Sequence, residues 1–379
     1  MSAELQVHYL SQNRGPAMGM GLYERLLLKY LLNYCKPKEL SADITFDGRK
    51  QPVTSETNSL PSGLQRLKSL GFSTAHLSSL PWNFVKCITG ALLPAGGRKT
   101  TLFHSLALSF PASPRLPAIY TIHDLPPTKF ADEGILPSWS KSAANEAQAI
   151  ITPSEFGKSV ILEHLGVDAS KVHVVLNGCE HDLFNPQVKP LSEAELKSLG
   201  LPFDFLFYAG GATRRKNVIA LLEAWLSICA DFPDLYLVLA GPKEKLKENV
   251  AEVGAPRVVV QGYVDHAVMP RMMKASRAVV CPSIYEGFGL PPLEAMALGI
   301  PTIGTKVAGA VPEVMADAGV LAEDGSPEAL AAAIRGLLLD QELAEKLKDL
   351  GPKRALQFSW TEHAKQVLMI YRNVLSSSQ

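Results

Sequence analysis

The 379-residue sequence predicts an α/β protein of two domains built on parallel sheets, and three observations carry that expectation. The length exceeds what one ordinary hydrophobic core organises and suits two domains of roughly 150 to 200 residues each. Short apolar runs (TLFHSL from Thr101, AIYTIHDL from Ala118, AIITPS from Ala149) read as buried parallel strands with helical stretches between them. Residues 279–305, VVCPSIYEGFGLPPLEAMALGIPTIGT, form a strand, glycine loop, helix and strand in succession, the repeating unit of such a sheet.

Composition narrows the class. Hydrophobic content of 47% and charged content of 20% are ordinary for a soluble enzyme. No stretch approaches the ~20 apolar residues of a membrane-crossing helix, and MSAELQVHYL lacks a basic region followed by an apolar run, so a cytoplasmic protein is expected. Cys35, Cys87, Cys179, Cys229 and Cys281 are scattered and never spaced CxxC, which suits reduced packing residues. The nine histidines form no metal-ligand pattern. Net charge is zero, yet residues 1–129 hold 14 Lys and Arg against 7 Asp and Glu, a balance of +7. That segment suits an anionic acceptor or a peripheral contact with the inner face of an anionic membrane, although ordinary solvated charge explains it as well. There is no basic stripe with interleaved aromatics, which argues against nucleic acid.

In chain order, residues 5–10 predict a strand, followed by a loop with Gly15, Gly19 and Gly21 and an apolar helix over 22–34. Residues 36–99 carry little signal: 43–46 suit a strand, while 52–61 and 93–97 suit loops. The strand from Ala118 ends in Ile122, His123 and Asp124. Ligands of open α/β sheets bind beyond the carboxyl ends of strands, which makes His123 a candidate, with a satisfied structural histidine as the plain alternative. Ser154 suits a helix N-cap, and 171–176 suit the last strand of a first domain spanning 1–185. The charged, proline-flanked stretch 186–202 reads as an interdomain linker opening a second domain, 186–360.

In that second domain a strand over 204–209 delivers Gly210 and Gly211 to a turn, and Arg214, Arg215 and Lys216 sit at a helix start. Three cations there oppose the macrodipole, and a nearby anion would remove the conflict. Strands over 235–240 and 257–261 follow, the second leading into Gly262, Tyr263 and Val264, then a helix over 269–274. The aromatic and its neighbour are candidate contacts; packing at a strand end is the alternative. In 279–305 the chain breaks at Gly287 and Gly289, and Pro291 and Pro292 suit a first helical turn. Gly299 ends that helix. Bare N–H groups of Gly287, Phe288, Gly289 and Leu290 at such a helix start favour an anion such as a phosphate. Glu286 and Glu294 bracket the loop. Each carboxylate accepts two hydroxyl hydrogen bonds, which suits the sugar and ribose of a nucleotide sugar; a loop residue and a solvated helix position are the plain readings. Glu313 suits a helix start, and FSWTEHAKQVLMIYRNVL an amphipathic final helix.

EGFGLPPLEAMALGIPTI resembles the E-x7-E signature of the retaining glycosyltransferases of family 4, and GMGLY, the HD pair at His123, PSEFGKSVILEHLGV, NGCEHDLFNP and RRKN resemble further segments of that family. The resemblance covers almost all of the chain and is weakest over 36–99, the part that carries acceptor recognition in the family. It implies a GT-B fold: two Rossmann-like, doubly wound parallel-sheet domains facing a cleft, with a final helix, 361–375, crossing back to the first. It implies transfer of a sugar, mannosyl in the members it most resembles, from a GDP- or UDP-sugar donor that is a co-substrate, with no metal and no cofactor expected. The acceptor is a hydroxyl of a glycan, a lipid-linked glycan or a small molecule, and polysaccharide biosynthesis is the setting. His123 is then a contact of the donor sugar, Gly19 and Gly21 lie on the donor phosphates and acceptor, and Lys216 with Arg215 or Arg214 lies on the diphosphate beside Gly210 and Gly211. Tyr263 and Val264 are contacts of the base, and Glu286 and Glu294 hold sugar and ribose. The leaving phosphate takes the acceptor proton. A sugar-nucleotide 2-epimerase of the same fold and a non-catalytic nucleotide-sugar-binding protein are the alternatives; isomerisation of donor without acceptor distinguishes the first, and loss of the cations and paired glutamates would mark the second.

Overall fold

A computed structural model describes residues 5–10, 19–34, 40–46, 49–52, 101–106, 108 and 116–377. The chain divides into two units, one of Met1–Gly178 with Trp360–Gln379 and one of Cys179–Ser359.

The first unit is a seven-stranded sheet of β1 (Leu5–Leu10), β2 (Leu40–Phe46), β3 (Arg49–Pro52), β4 (Thr101–Ser105), β5 (Ala118–Thr121), β6 (Ala149–Thr152) and β7 (Val172–Val174), in the order β3-β2-β1-β4-β5-β6-β7. All neighbours are parallel except the edge pair β2 and β3. Its helices include α1 (Gly19–Tyr34), α2 (Ser140–Glu146) and α3 (Glu155–Leu165). The strand expected over 43–46 is longer and has an antiparallel partner. Of the loops expected at 52–61 and 93–97, Pro52 instead ends β3, while 53–61 and 93–97, and Gly15, lie outside the described residues. Helix α1 starts at Gly19, three residues before the expected start, so Gly19 and Gly21 belong to its first turn. Helix α3 begins as its chemistry dictates: extended Ser154 accepts the Gly157 N–H at 2.9 Å, and left-handed Gly166 closes the far end.

The second unit is a six-stranded, all-parallel sheet of β8 (Phe205–Ala209), β9 (Tyr236–Ala240), β10 (Val258–Gly262), β11 (Ala278–Val280), β12 (Thr302–Thr305) and β13 (Val320–Ala322), ordered β10-β9-β8-β11-β12-β13. Around it lie α4 (Glu193–Ser198), α5 (Val218–Ile228), α6 (Lys243–Val253), α7 (Met269–Lys274), α8 (Leu290–Ala297), α9 (Val311–Met315), α10 (Pro327–Leu339) and α11 (Gln341–Ala355). Alternation along β8 builds the core on both faces. Phe205 and Phe207 pack with Met273, Leu293 and Met296 of α7 and α8; Leu206 and Tyr208 pack with Leu221, Trp225 and Leu330 of α5 and α10.

The stretch 186–202 is not a linker. Leu191, Leu196 and Leu201 are buried in the second unit's core, α4 carries a full capping box between Ser192 and Glu195, and Arg271 grips Glu195 with two 2.8 Å hydrogen bonds. The units divide before Cys179, seven residues ahead of the boundary read at 185. The Cys179 N–H donates to the Phe358 carbonyl at 3.1 Å and Phe184 joins the same core, so residues 179–185 belong to the second unit.

The last helix, α12 (Trp360–Ser377), belongs to the first unit and packs on α1, β4 and β6. Its buried face, Trp360, His363, Ala364, Val367, Leu368, Tyr371 and Val374, repeats every three or four residues. Cys179, Cys229 and Cys281 are free and buried. Among the described residues no helix is long and apolar enough to cross a membrane, and no group of His, Cys, Asp and Glu is arranged to hold a metal ion.

Candidate functional site

In the second unit the strand order sets β8 beside β11, and the chain leaves them toward opposite edges of the sheet. This is a topological switch point, where the loops after the two strands part and leave a crevice at their carboxyl ends. Both loops singled out from sequence emerge here. After β8, Gly210 donates to the Ala240 carbonyl at 3.0 Å. A Cβ on Gly210 would stand 2.5 Å from the Tyr208 hydroxyl, which donates to the Gly211 carbonyl at 2.5 Å, so only glycine fits. Arg214–Lys216 form one 3-10 turn, and left-handed Asn217 (φ 57°, ψ 35°) starts α5. The Asn217 side-chain amide donates to the carbonyls of Pro282 (3.1 Å) and Gly325 (2.8 Å), and the Ile284 N–H donates to the Arg215 carbonyl at 2.9 Å. These bonds clamp the loop after β8 to the loop after β11.

That clamp brings the charges together. Lys216 Nζ lies 2.5 Å from Glu286 Oε1, Arg215 Nη1 lies 3.0 Å from Glu286 Oε2, and the Ser283 hydroxyl donates to Glu286 Oε1 at 2.7 Å. The three charged side chains are only 15–18% exposed, so the pairing is felt at low dielectric. Burial alone would raise the Glu286 carboxyl, but Lys216 and Arg215 hold it below its ordinary value, and it is an anion at neutral pH. Two expectations are corrected here. The anion that relieves the cations ahead of α5 is in the first place Glu286 of the protein itself, and Glu286 is not an accessible loop side chain. Arg214 is exposed, and Arg215 is the arginine in the cluster.

Helix α8 supplies the amides. Gly289, at φ 105°, caps it without a side chain; a Cβ there would meet Val311 Cγ2 at 3.1 Å and Pro292 Cγ at 3.2 Å. Leu293 makes the first intrahelical bond, to the Gly289 carbonyl, and Pro291 and Pro292 have no N–H. The helix-start donors are therefore the amides of Phe288, Gly289 and Leu290, next to Gly287. The Phe288 ring is buried edge-on against Phe358 at 5.8 Å, so this residue offers its backbone only.

Glu294 lies partly buried on α8, where its backbone carbonyl accepts the Leu298 N–H at 3.1 Å. Burial, opposed by His266 and reinforced by Glu180, pushes its carboxyl up to about 8. His266 Nε2 lies 2.7 Å from Glu180 Oε1. Neither residue was singled out from sequence, although Glu180 stands inside NGCEHDLFNP. Tyr263, just past β10, is 65% exposed and so is not a packed strand-end ring, whereas Val264 packs on the core.

His123, Gly19 and Gly21 belong to the first unit. His123 follows β5, and its Nε2 is buried without a hydrogen-bond partner among the described residues. Burial, with a smaller push from His363, lowers its imidazole to about 4, so the ring is neutral at pH 7.

Two family models match the chain: Glycosyl transferases group 1 over residues 195–354, and Glycosyltransferase Family 4 over residues 99–183. The chain is similar to O-antigen chain mannosyltransferase B of Escherichia coli, 32% identical over 241 residues that cover 60% of this chain and 61% of that protein. It thus spans about three-fifths of that curated relative. In structure it is similar to sucrose-phosphate synthase from Thermosynechococcus elongatus, with a TM-score of 0.72, 22% identity and 99% and 100% of the two chains covered. It is similar also to Anabaena HepE solved with UDP and glucose, with a TM-score of 0.69, 18% identity and 99% and 100% covered. At these identities the structural matches establish the fold alone.

Proposed function

We propose that this chain, which belongs to glycosyltransferase family 4 and has the GT-B fold, transfers a sugar from a nucleoside-diphosphate sugar to an acceptor hydroxyl, with retention at the anomeric carbon and without a metal. The observation that carries this reading is the Arg215–Glu286–Lys216 cluster beside the helix-start amides of α8, at a switch point between two parallel strands. Two cations on one carboxylate leave a net positive charge, which suits a diphosphate as it departs. Glu286 preorganises the cations, so they need not reorient as negative charge develops.

The bond from the anomeric carbon to the diphosphate oxygen breaks, its electron pair stays on the phosphate, and the acceptor oxygen bonds to the same face of the carbon. The leaving phosphate accepts the hydroxyl proton. His123 contacts the donor sugar, Glu294 the ribose and Tyr263 the base. The named activity of the Escherichia coli relative supports a mannosyl donor, and the UDP bound by Anabaena HepE supports a nucleoside diphosphate. The acceptor, in this reading, is a glycan or lipid-linked glycan hydroxyl, reached at the inner face of a membrane.

Thermal denaturation with UDP, GDP and ADP tests the reading directly. A nucleotide present at about 100 times its Kd stabilises by ~2.7 kcal/mol, which is a rise of about 5 to 10 °C in a domain of this size. One of the three is expected to give that rise, undiminished by chelator. A flat response to all three, or a rise that needs Mg²⁺, counts against the assignment.

Lys216→Ala leaves Glu286 with Arg215 and the Ser283 hydroxyl, so the structural cost is small. The loss at the diphosphate is large, about 100-fold in turnover if Lys216 acts like other preorganised donors. Turnover that tracks only the fraction of folded protein would remove Lys216 from the chemistry.

A further inference from the structure

Within the first unit, the His123 imidazole rests on a buried chain of aromatic and imidazole groups that the transfer chemistry does not use. The Tyr23 ring of α1 stands edge to face with it, centroids 4.4 Å apart and planes at 79°. The Tyr23 hydroxyl lies 3.1 Å from His363 Nε2, on α12, and 3.5 Å from the Thr121 hydroxyl at the end of β5. His363 Nδ1 lies 2.9 Å from the Leu176 carbonyl, which can only accept. The Nδ1 therefore carries the proton, and Nε2 of the neutral ring accepts from the Tyr23 O–H. Trp360 closes the group, 5.8 Å from the Tyr23 ring and 5.1 Å from the His363 ring. Tyr23 is thus fixed at its hydroxyl and on its faces, whereas the buried Nε2 of His123 has no hydrogen-bond partner among the described residues.

We propose that Tyr23 and His363 are positioning residues: His363, delivered from the far end of the chain by α12, locks the Tyr23 hydroxyl, and Tyr23 holds the His123 imidazole at the angle from which its unpaired Nε2 meets the donor sugar. This rests on the reading of His123 as a donor contact. It makes the docking of the last helix a condition of a correctly set active-site ring, not only of stability.

The test compares His363→Leu, which removes both bonds, His363→Gln, whose amide can accept from Tyr23 and donate to Leu176, and Tyr23→Phe, which keeps the ring and its volume but not the hydroxyl. Steady-state turnover is measured alongside the ring ¹⁵N resonances of His123 in donor-free protein. His363→Leu and Tyr23→Phe are expected to lower kcat by about tenfold, the scale of a small misplacement of a reacting group, and to move the His123 resonances. His363→Gln is expected to restore both. Unmoved resonances, with kcat changed only in proportion to the folded fraction, overturn the proposal; so does a His363→Gln variant as impaired as His363→Leu. If His363→Leu does not fold, the isosteric Tyr23→Phe decides. Wild-type turnover by His123→Ala would instead refute the donor-contact reading, while the resonance shifts would still report whether Tyr23 and His363 orient the ring.

Discussion

Glu286→Ala is expected to abolish measurable transfer and to lower the melting temperature as well. The side chain is 15% exposed and is the shared partner of Lys216, Arg215 and the Ser283 hydroxyl, so its removal leaves two mostly buried cations facing each other. Breaking a fully buried ion pair by deleting one partner costs ~3–5 kcal/mol, and the residual solvent contact here reduces that to about 2 to 4. For a domain of this size the shift is roughly 5 to 15 °C. Turnover should fall further than unfolding can explain, by at least ~100-fold, because both cations lose the carboxylate that aims them. Glu286→Gln separates the two effects: its carbonyl can still accept from Lys216 or Arg215, so stability recovers in part, but the charge that holds both is gone. Activity and circular dichroism are compared well below the variant melting temperature. A folded alanine variant with near-normal turnover would remove Glu286 from the mechanism.

The same residue shows where a sequence can be read and where it cannot. The strand, loop and helix units were legible because their signals are local: β-branched runs, glycines at turns, prolines in a first turn, Ser154 at an N-cap. What joins them was not. The cations ahead of α5 looked unsatisfied because their partner lies 70 residues away, and a helix-dipole argument sees only the nearest turn. The stretch 186–202 looked like a linker because its prolines and charges were weighed above Ser192 and Glu195, whose spacing is a capping box. Glu195 finds Arg271 76 residues on. His363 passed as one position of an amphipathic face, since no local pattern distinguishes a packed histidine from one that bonds Tyr23 across 340 residues.

Below pH 6.5 the first unit is expected to lose stability steeply. His104, His123 and His363 cluster within it: His104 Nδ1 lies 2.6 Å from the Tyr371 hydroxyl of α12 and Nε2 lies 2.9 Å from Thr121, while His363 holds Tyr23 and Leu176. Burial first, and the mutual repulsion of the rings second, lowers His104 to about 3 and His123 to about 4; burial lowers His363 to about 4 against the pull of its Leu176 carbonyl. Each starts from an ordinary value of 6.5, so between that pH and about 4 the unfolded chain binds protons that the folded unit refuses. Their contribution is complete above pH 6.5 and is lost as pH falls through that window. Each ring costs up to ~1.4 kcal/mol per pH unit, and two acting fully would consume about 5 kcal/mol over two units, the lower end of a domain's whole stability. Protonating His104 or His363 makes both ring nitrogens donors, so a partner hydroxyl must turn from donor to acceptor in the contacts that dock α12 against β4 or α1, and the melting midpoint and the attachment of the last helix should weaken together. Calorimetry from pH 7.5 to 4.5 should show the transition of the first unit moving down, and His104→Gln or His363→Gln should flatten that slope while keeping polar contacts. A midpoint constant down to pH 5, or a slope indifferent to both substitutions, would mean that these rings take up protons without strain and that the cluster does not hold the last helix in place.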